Sequence, residues 1–77
     1  MLLYFYDLKG TKIEYTRVKR RFYYHLKRSK LAIMPLRTKS VIMVPEEMET
    51  IADIFFSKFK GNIEVYKAKA TTIEEIL

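Results

Sequence analysis

An α+β fold, with elements in the order strand, helix, strand, strand, helix, strand, is what the 77 residues predict. Three observations lead there. The N-terminal apolar run is too short for a helix, two longer stretches repeat their apolar residues at a helical period, and the remaining segments are β-branched or alternate.

Leu2–Tyr6 is a continuous apolar run that stops at Asp7, Lys9 and Gly10, which suits a central strand. A basic helix is expected from about Glu14 to Ser29. Tyr15, Val18, Phe22 and Leu26 share one face of it, while Arg17, Arg21, Tyr24 and Arg28 form a second stripe. Leu31–Leu36 reads as a short strand that Pro35, lacking an N–H, confines to an edge. Arg37, Thr38 and Lys39 then make a turn into the β-branched strand Ser40–Val44. The second helix is expected to start with Pro45 in its first position and Glu46, Glu47 and Glu49 at the positive end of its dipole. Met48, Ile51, Ala52, Phe55 and Phe59 would form its buried face, and Gly61 its C-cap. Ile63–Lys69 alternates as a last strand, and the tail 71–77 carries Thr72 and Glu75 at capping-box spacing. This order is the ferredoxin-like split βαβ arrangement: one antiparallel four-stranded sheet, both helices on one face, a single domain over 1–77.

Such an architecture leaves one sheet face open. Alternation sorts Tyr4, Tyr6 and Tyr66 from Leu3, Phe5, Ile63 and Val65. With the aliphatic set assigned to the helices, the tyrosines occupy the open face and form a homodimer interface. That solution suits a core this small.

With 49% hydrophobic and 31% charged residues, the composition is neither disordered nor membrane-like. No apolar run approaches the ~20 residues of a membrane-spanning helix, and Met1–Tyr6 lacks the flanks of a signal peptide. The chain has no cysteine and one histidine, which excludes disulfides and thiolate metal sites and fits a cytoplasmic location. The net charge of +6 is segregated. Between Lys9 and Lys39 eleven Lys and Arg face one acid, Glu14, whereas from Ser40 onward four Lys face seven acids. A basic block of that density is a footprint of nucleic-acid binding. Asp7, ending a central strand beside it, could hold Mg²⁺, although one carboxylate anchors a divalent ion weakly unless a second copy shares it. The alternative for Asp7 is a turn-starting residue bonded to its own backbone.

The opening Leu2-Leu3-Tyr4-Phe5-Tyr6-Asp7, the basic stretch Arg17-Val18-Lys19-Arg20-Arg21-Phe22 and the strand Ile63-Glu64-Val65-Tyr66 resemble the small adaptation subunit of CRISPR systems, the partner of the CRISPR integrase. The resemblance implies a ferredoxin-like homodimer whose 71–77 tail contacts the other protomer. It implies DNA-duplex or RNA binding in spacer acquisition and, as in some members, Mg²⁺-dependent endonuclease activity with Asp7 as the catalytic and metal-binding residue. Candidate nucleic-acid contacts are Arg17, Arg20, Arg21 and Arg28 on the helix, with Arg37 and Lys39 on the hairpin. Two other readings stay open: an RNA-binding module stacking bases on Tyr4, Tyr6 and Tyr66, and a structural subunit docking an acidic protein.

Overall fold

A computed structural model describes residues 1–33, 36–38 and 40–77. The fold is α+β, with β1 (Leu2–Leu8), α1 (Lys12–Arg28), β2 (Leu36–Thr38), β3 (Val41–Val44), α2 (Glu49–Ser57) and β4 (Ile63–Lys69). Every strand pairing is antiparallel and the order across the sheet is β2-β3-β1-β4. β1 is the central strand, paired with β4 over its whole length and with β3 from Leu2 to Phe5. The three-residue β2 meets β3 at Leu36–Ile42 and Thr38–Val41, with a register shift between them.

Local chemistry moves several boundaries from where periodicity put them. α1 begins two residues before Glu14 because Thr11 caps it: Thr11 Oγ1 accepts the Glu14 N–H at 3.3 Å, and Glu14 Oε2 accepts the Thr11 N–H at 3.3 Å. The Thr-x-x-Glu spacing of this reciprocal box was legible beforehand. Gly10 makes the entry possible at φ +143, a backbone conformation that side chains rarely adopt, with Glu14 Cβ only 3.2 Å from where its own Cβ would sit.

The strand expected over Leu31–Leu36 is corrected: Lys30–Ile33 is a 3₁₀ turn and the strand starts at Leu36. Ser29 Oγ donates to the Leu26 carbonyl at 2.8 Å and accepts the Leu31 N–H at 3.1 Å, so the segment winds instead of extending. Leu31 is thereby turned into the core, 1% exposed. Pro35 and Lys39 lie outside the described residues. The second helix also starts later than expected. Pro45 is extended, Glu46–Met48 form a 3₁₀ turn, and α2 proper runs from Glu49.

One aromatic cluster ties the layers together. Phe22, fully buried on α1, lies 4.9 Å from the Tyr6 ring, 5.5 Å from Phe55 and 5.2 Å from Phe59 between ring centroids. Phe56 of α2 stacks on Tyr4 at 5.2 Å and 13°. Burying a side chain of this size is worth about 1.5–3 kcal/mol, and favourable ring pairs add about 0.5–1.5 kcal/mol each.

These contacts overturn the facing of β1. Tyr4 and Tyr6 are 2% and 6% exposed and lie under the helices, together with Leu2 and Leu8. They therefore do not form an open-face interface. Tyrosine goes inside because each phenol finds a partner there: Tyr4 Oη donates to Asp53 Oδ1 at 2.7 Å, and Tyr6 Oη lies 3.3 Å from Tyr23 Oη. Ile63 and Val65 pack against the same core, as expected. The open face instead carries Leu3, Phe5, Val41, Met43 and Tyr66, with Phe5 directly opposite Tyr66. Both of those rings are exposed, at 41% and 65%. Tyr66 is thus the one tyrosine of the three on the open side. The helix faces shift too: Ile51 is exposed and Phe56 takes its place in the core.

Truncating the two sides of β1 and its neighbours separates these roles. Phe22→Ala removes the ring common to both helices and β1 and is expected to lower unfolding stability by about 3–5 kcal/mol. Phe5→Ala, on the open face, is expected to cost under half as much, both read from urea-unfolding midpoints at equal m-value.

Candidate nucleic-acid interface

The basic surface is built on α1. Its 3.6-residue period turns Val18, Phe22 and Leu26 into the core and leaves Arg17, Arg20, Arg21 and Arg28 exposed, with Arg21 at the flank beside the core. Arg17, Arg21, Tyr24 and Arg28 follow one line along the helix, and Arg20 flanks it. Two guanidinium groups rest on aromatic faces: Arg21 lies 5.2 Å from the Phe59 ring centroid and Arg28 4.9 Å from that of Tyr24. Such contacts fix the planar heads outward without neutralising them. The α1 acid, Glu14, is occupied in the N-terminal cap. Among the described residues no Lys or Arg of α1 joins an ion pair. Of the two hairpin candidates, Arg37 has its backbone in β2 and its side chain outside the described features, and Lys39 lies outside the described residues.

Among the described residues, four acids of the C-terminal half pair with other groups: Glu49 and Asp53 with Lys67, Glu64 with Lys9, and Glu46 with the N-terminal ammonium at 3.7 Å. Lys67, on the outer strand β4, reaches across to α2 and donates to Asp53 Oδ2 at 2.8 Å while pairing with Glu49 Oε2 at 2.7 Å. Tyr4 Oη closes the cluster on Asp53. The hydrogen bonds from Lys67 and Tyr4 hold the Asp53 carboxyl below its usual range. Burial, then the bond to Asp53, pushes the Tyr4 phenol well up, and the two carboxylates do the same for Lys67. A groove of about 450 Å³ beside this cluster is walled by Phe56, Ile63 and Val65. Lys67, Asp53 and Glu49 satisfy one another, and the cluster reads as a clasp between α2 and β4.

Asp7 stands at the other end of the sheet. It is exposed on the same face as Phe5, because it alternates with the buried Tyr6 and Leu8. Lys9 Nζ donates to Asp7 Oδ2 at 3.0 Å and lies 3.7 Å from Glu64 Oε2. The hydrogen bond to Asp7 raises the Lys9 ammonium above its usual range. Glu64 is the direct cross-strand partner of Asp7, and it accepts a hydrogen bond from Tyr66 Oη at 2.9 Å. Sequence reasoning missed Glu64, since only the β1–β4 register puts the two carboxylates side by side. Among the described residues no three His, Cys, Asp or Glu side chains gather into a metal site. One protomer offers two oxygen-donor side chains at this point, too few for a firmly held divalent ion. Nor, among the described residues, is any helix long and apolar enough to cross a membrane.

Comparison with protein-family models, curated proteins and solved structures finds nothing that matches this chain.

The clasp gives a pH signature. Because the folded carboxyl of Asp53 titrates below the unfolded value of about 3.9, its contribution is present above that pH and is lost as the pH falls through the lower folded value. Asp53→Asn is expected to flatten the acid limb of the stability curve below about pH 4, measured by urea unfolding in steps down to pH 2. Retention of the wild-type slope would remove Asp53 as its source.

Proposed function

We propose that this chain is a nucleic-acid-binding homodimer of ferredoxin-like topology that serves in CRISPR spacer acquisition beside the integrase. In this reading it lays a duplex along Arg17, Arg20, Arg21 and Arg28. The observation that carries the binding reading is the exposed arginine surface of α1, which pairs with no carboxylate among the described residues. Glu14 is held in the helix cap, Glu49 and Asp53 by Lys67, and Asp7 and Glu64 by Lys9. The CRISPR assignment rests on the sequence resemblance, and the helix–sheet order is compatible with it. Dimerisation through the opposite sheet face, by Phe5, Tyr66, Leu3, Val41 and Met43, would keep both arginine surfaces outward. An acidic protein is the competing ligand for the same surface, and the duplex salt slope of the arginine variants discriminates the two. Base stacking on Tyr4 and Tyr6 has no support, because both rings are under the helices.

A metal-dependent endonuclease activity is the second element of the proposal, favoured by one placement: Asp7 shares the open face with Phe5 and sits beside Glu64. Two open faces joined about a two-fold axis near these strand ends would assemble carboxylates from both protomers. All are hard oxygen donors suited to Mg²⁺. A magnesium ion held there would offset charge on a scissile phosphate and lower the pKa of a bound water. Lys9, already bonded to Asp7, would have to release it.

Sedimentation and duplex-binding measurements test the reading. The wild-type protein should sediment as a dimer and Phe5→Asp as a monomer. Arg17, Arg21 and Arg28 changed together to Ala should reduce the slope of log K against log salt by about 2.7, at about 0.9 per phosphate contact. Asp7→Ala should abolish Mg²⁺-dependent cleavage and leave duplex affinity near wild type. A monomeric wild type, or an unchanged salt slope in the triple variant, would overturn the duplex scaffold; full cleavage by Asp7→Ala would overturn the metal site.

A further inference from the structure

A second row on α1 has a different chemistry from the arginine line. Tyr15, Lys19, Tyr23 and Lys27 follow one another at intervals of four residues, so each stands one turn above the last. This row overhangs the C-terminal end of β1 and Ser40, enclosing a groove of about 560 Å³. The phenols at its floor are partnered and uncharged: Tyr6 and Tyr23 hydroxyls are 3.3 Å apart, and burial pushes the Tyr6 phenol well up. The Tyr15 ring at the rim is 40% exposed. Neither Lys19 nor Lys27 has a carboxylate within ion-pairing distance among the described residues. The carboxylate lining the groove, Asp7, is bonded to Lys9 at 3.0 Å.

We propose that this groove binds a short single-stranded segment of nucleic acid, its phosphates on Lys19 and Lys27 and a base stacked on Tyr15. The two lysines are eight residues apart, about 12 Å along the helix axis at 1.5 Å per residue. Two flexible ammonium groups at that spacing can reach successive phosphates of one strand, where a rigid guanidinium fork is not required. An exposed tyrosine beside a basic track is the recurring arrangement for sequence-tolerant single-strand binding. Ser40 forms part of the opposite wall. A volume of about 560 Å³ is that of a small-molecule pocket, so the groove takes what the arginine surface does not: an unpaired end. The inference rests on the nucleic-acid reading above but needs neither the dimer nor the metal.

Fluorescence anisotropy with a labelled eight-nucleotide oligothymidylate and with a blunt duplex, each across a salt series, tests it. Lys19→Ala with Lys27→Ala should reduce the single-strand salt slope by about 1.4, at about 0.7 per contact, and leave the duplex slope unchanged. Tyr15→Ala should weaken single-strand binding at least about fivefold, the lower end of what one stacked base is worth. All three side chains are exposed, so the variants should fold, which their melting curves check. Equal losses on both ligands would show a diffuse basic field and overturn the groove, as would an unchanged single-strand slope. Duplex binding through the arginines without single-strand binding sinks this inference alone; absence of binding to either sinks the nucleic-acid reading with it.

Discussion

The Phe22 ring is the constraint on which the fold turns. It is carried by α1, touches both Phe55 and Phe59 from α2 and its C-terminal turn, and lies against Tyr6 of the central strand. A chain this short has few ways to bury enough apolar area, and a single ring shared by three elements makes their positions interdependent. Once Phe22 is seated, the 3.6-residue period fixes everything else on α1. Arginines at 17, 20 and 28 face away from it, Arg21 lies at the flank over Phe59, and the row from Tyr15 to Lys27 falls at the flank nearest the end of β1.

The same contact sets the parity of β1, and parity decides the chemistry of its far end. Strand side chains alternate strictly, so a buried Tyr6 places Phe5 and Asp7 on the open face. Had the tyrosines faced outward, Asp7 would have pointed toward the helices, where an unpaired carboxylate is costly. The register with β4 then sets Glu64 opposite Asp7 and Tyr66 opposite Phe5. The residues proposed for an interface and for metal binding are thus consequences of one packing choice made on the other side of the sheet.

Charge is segregated by pairing as well as by position. Lys67 draws Asp53 and Glu49 into a clasp, Lys9 bridges Asp7 and Glu64, and Glu14 closes its own helix cap. These surface pairs are individually worth little to stability. Among the described residues they leave the lysines and arginines of α1 without a carboxylate partner, which is the feature the proposed phosphate binding uses.

The residues alone established the α+β class, the two helices with most of their buried positions, the antiparallel β4 and the basic character of α1, because each depends on local period or composition. The capping box at Thr11 and Glu14 has a sequence signature too, but periodicity alone puts the helix start at Glu14, two residues late. What alternation could not decide was which face of β1 turns inward, since both Leu2-Tyr4-Tyr6 and Leu3-Phe5 are apolar enough to be buried. Reading the strand on to Leu8 would have helped, as it sets four apolar residues against a face ending in Asp7. Only the tertiary structure resolved it, through partners for the Tyr4 and Tyr6 hydroxyls that lie on α2 and α1, far away in sequence. The 3₁₀ turn at Lys30–Ile33 and the Asp7–Glu64 pair have the same origin: a buried leucine and a strand register are properties of the assembled chain, not of any window along it.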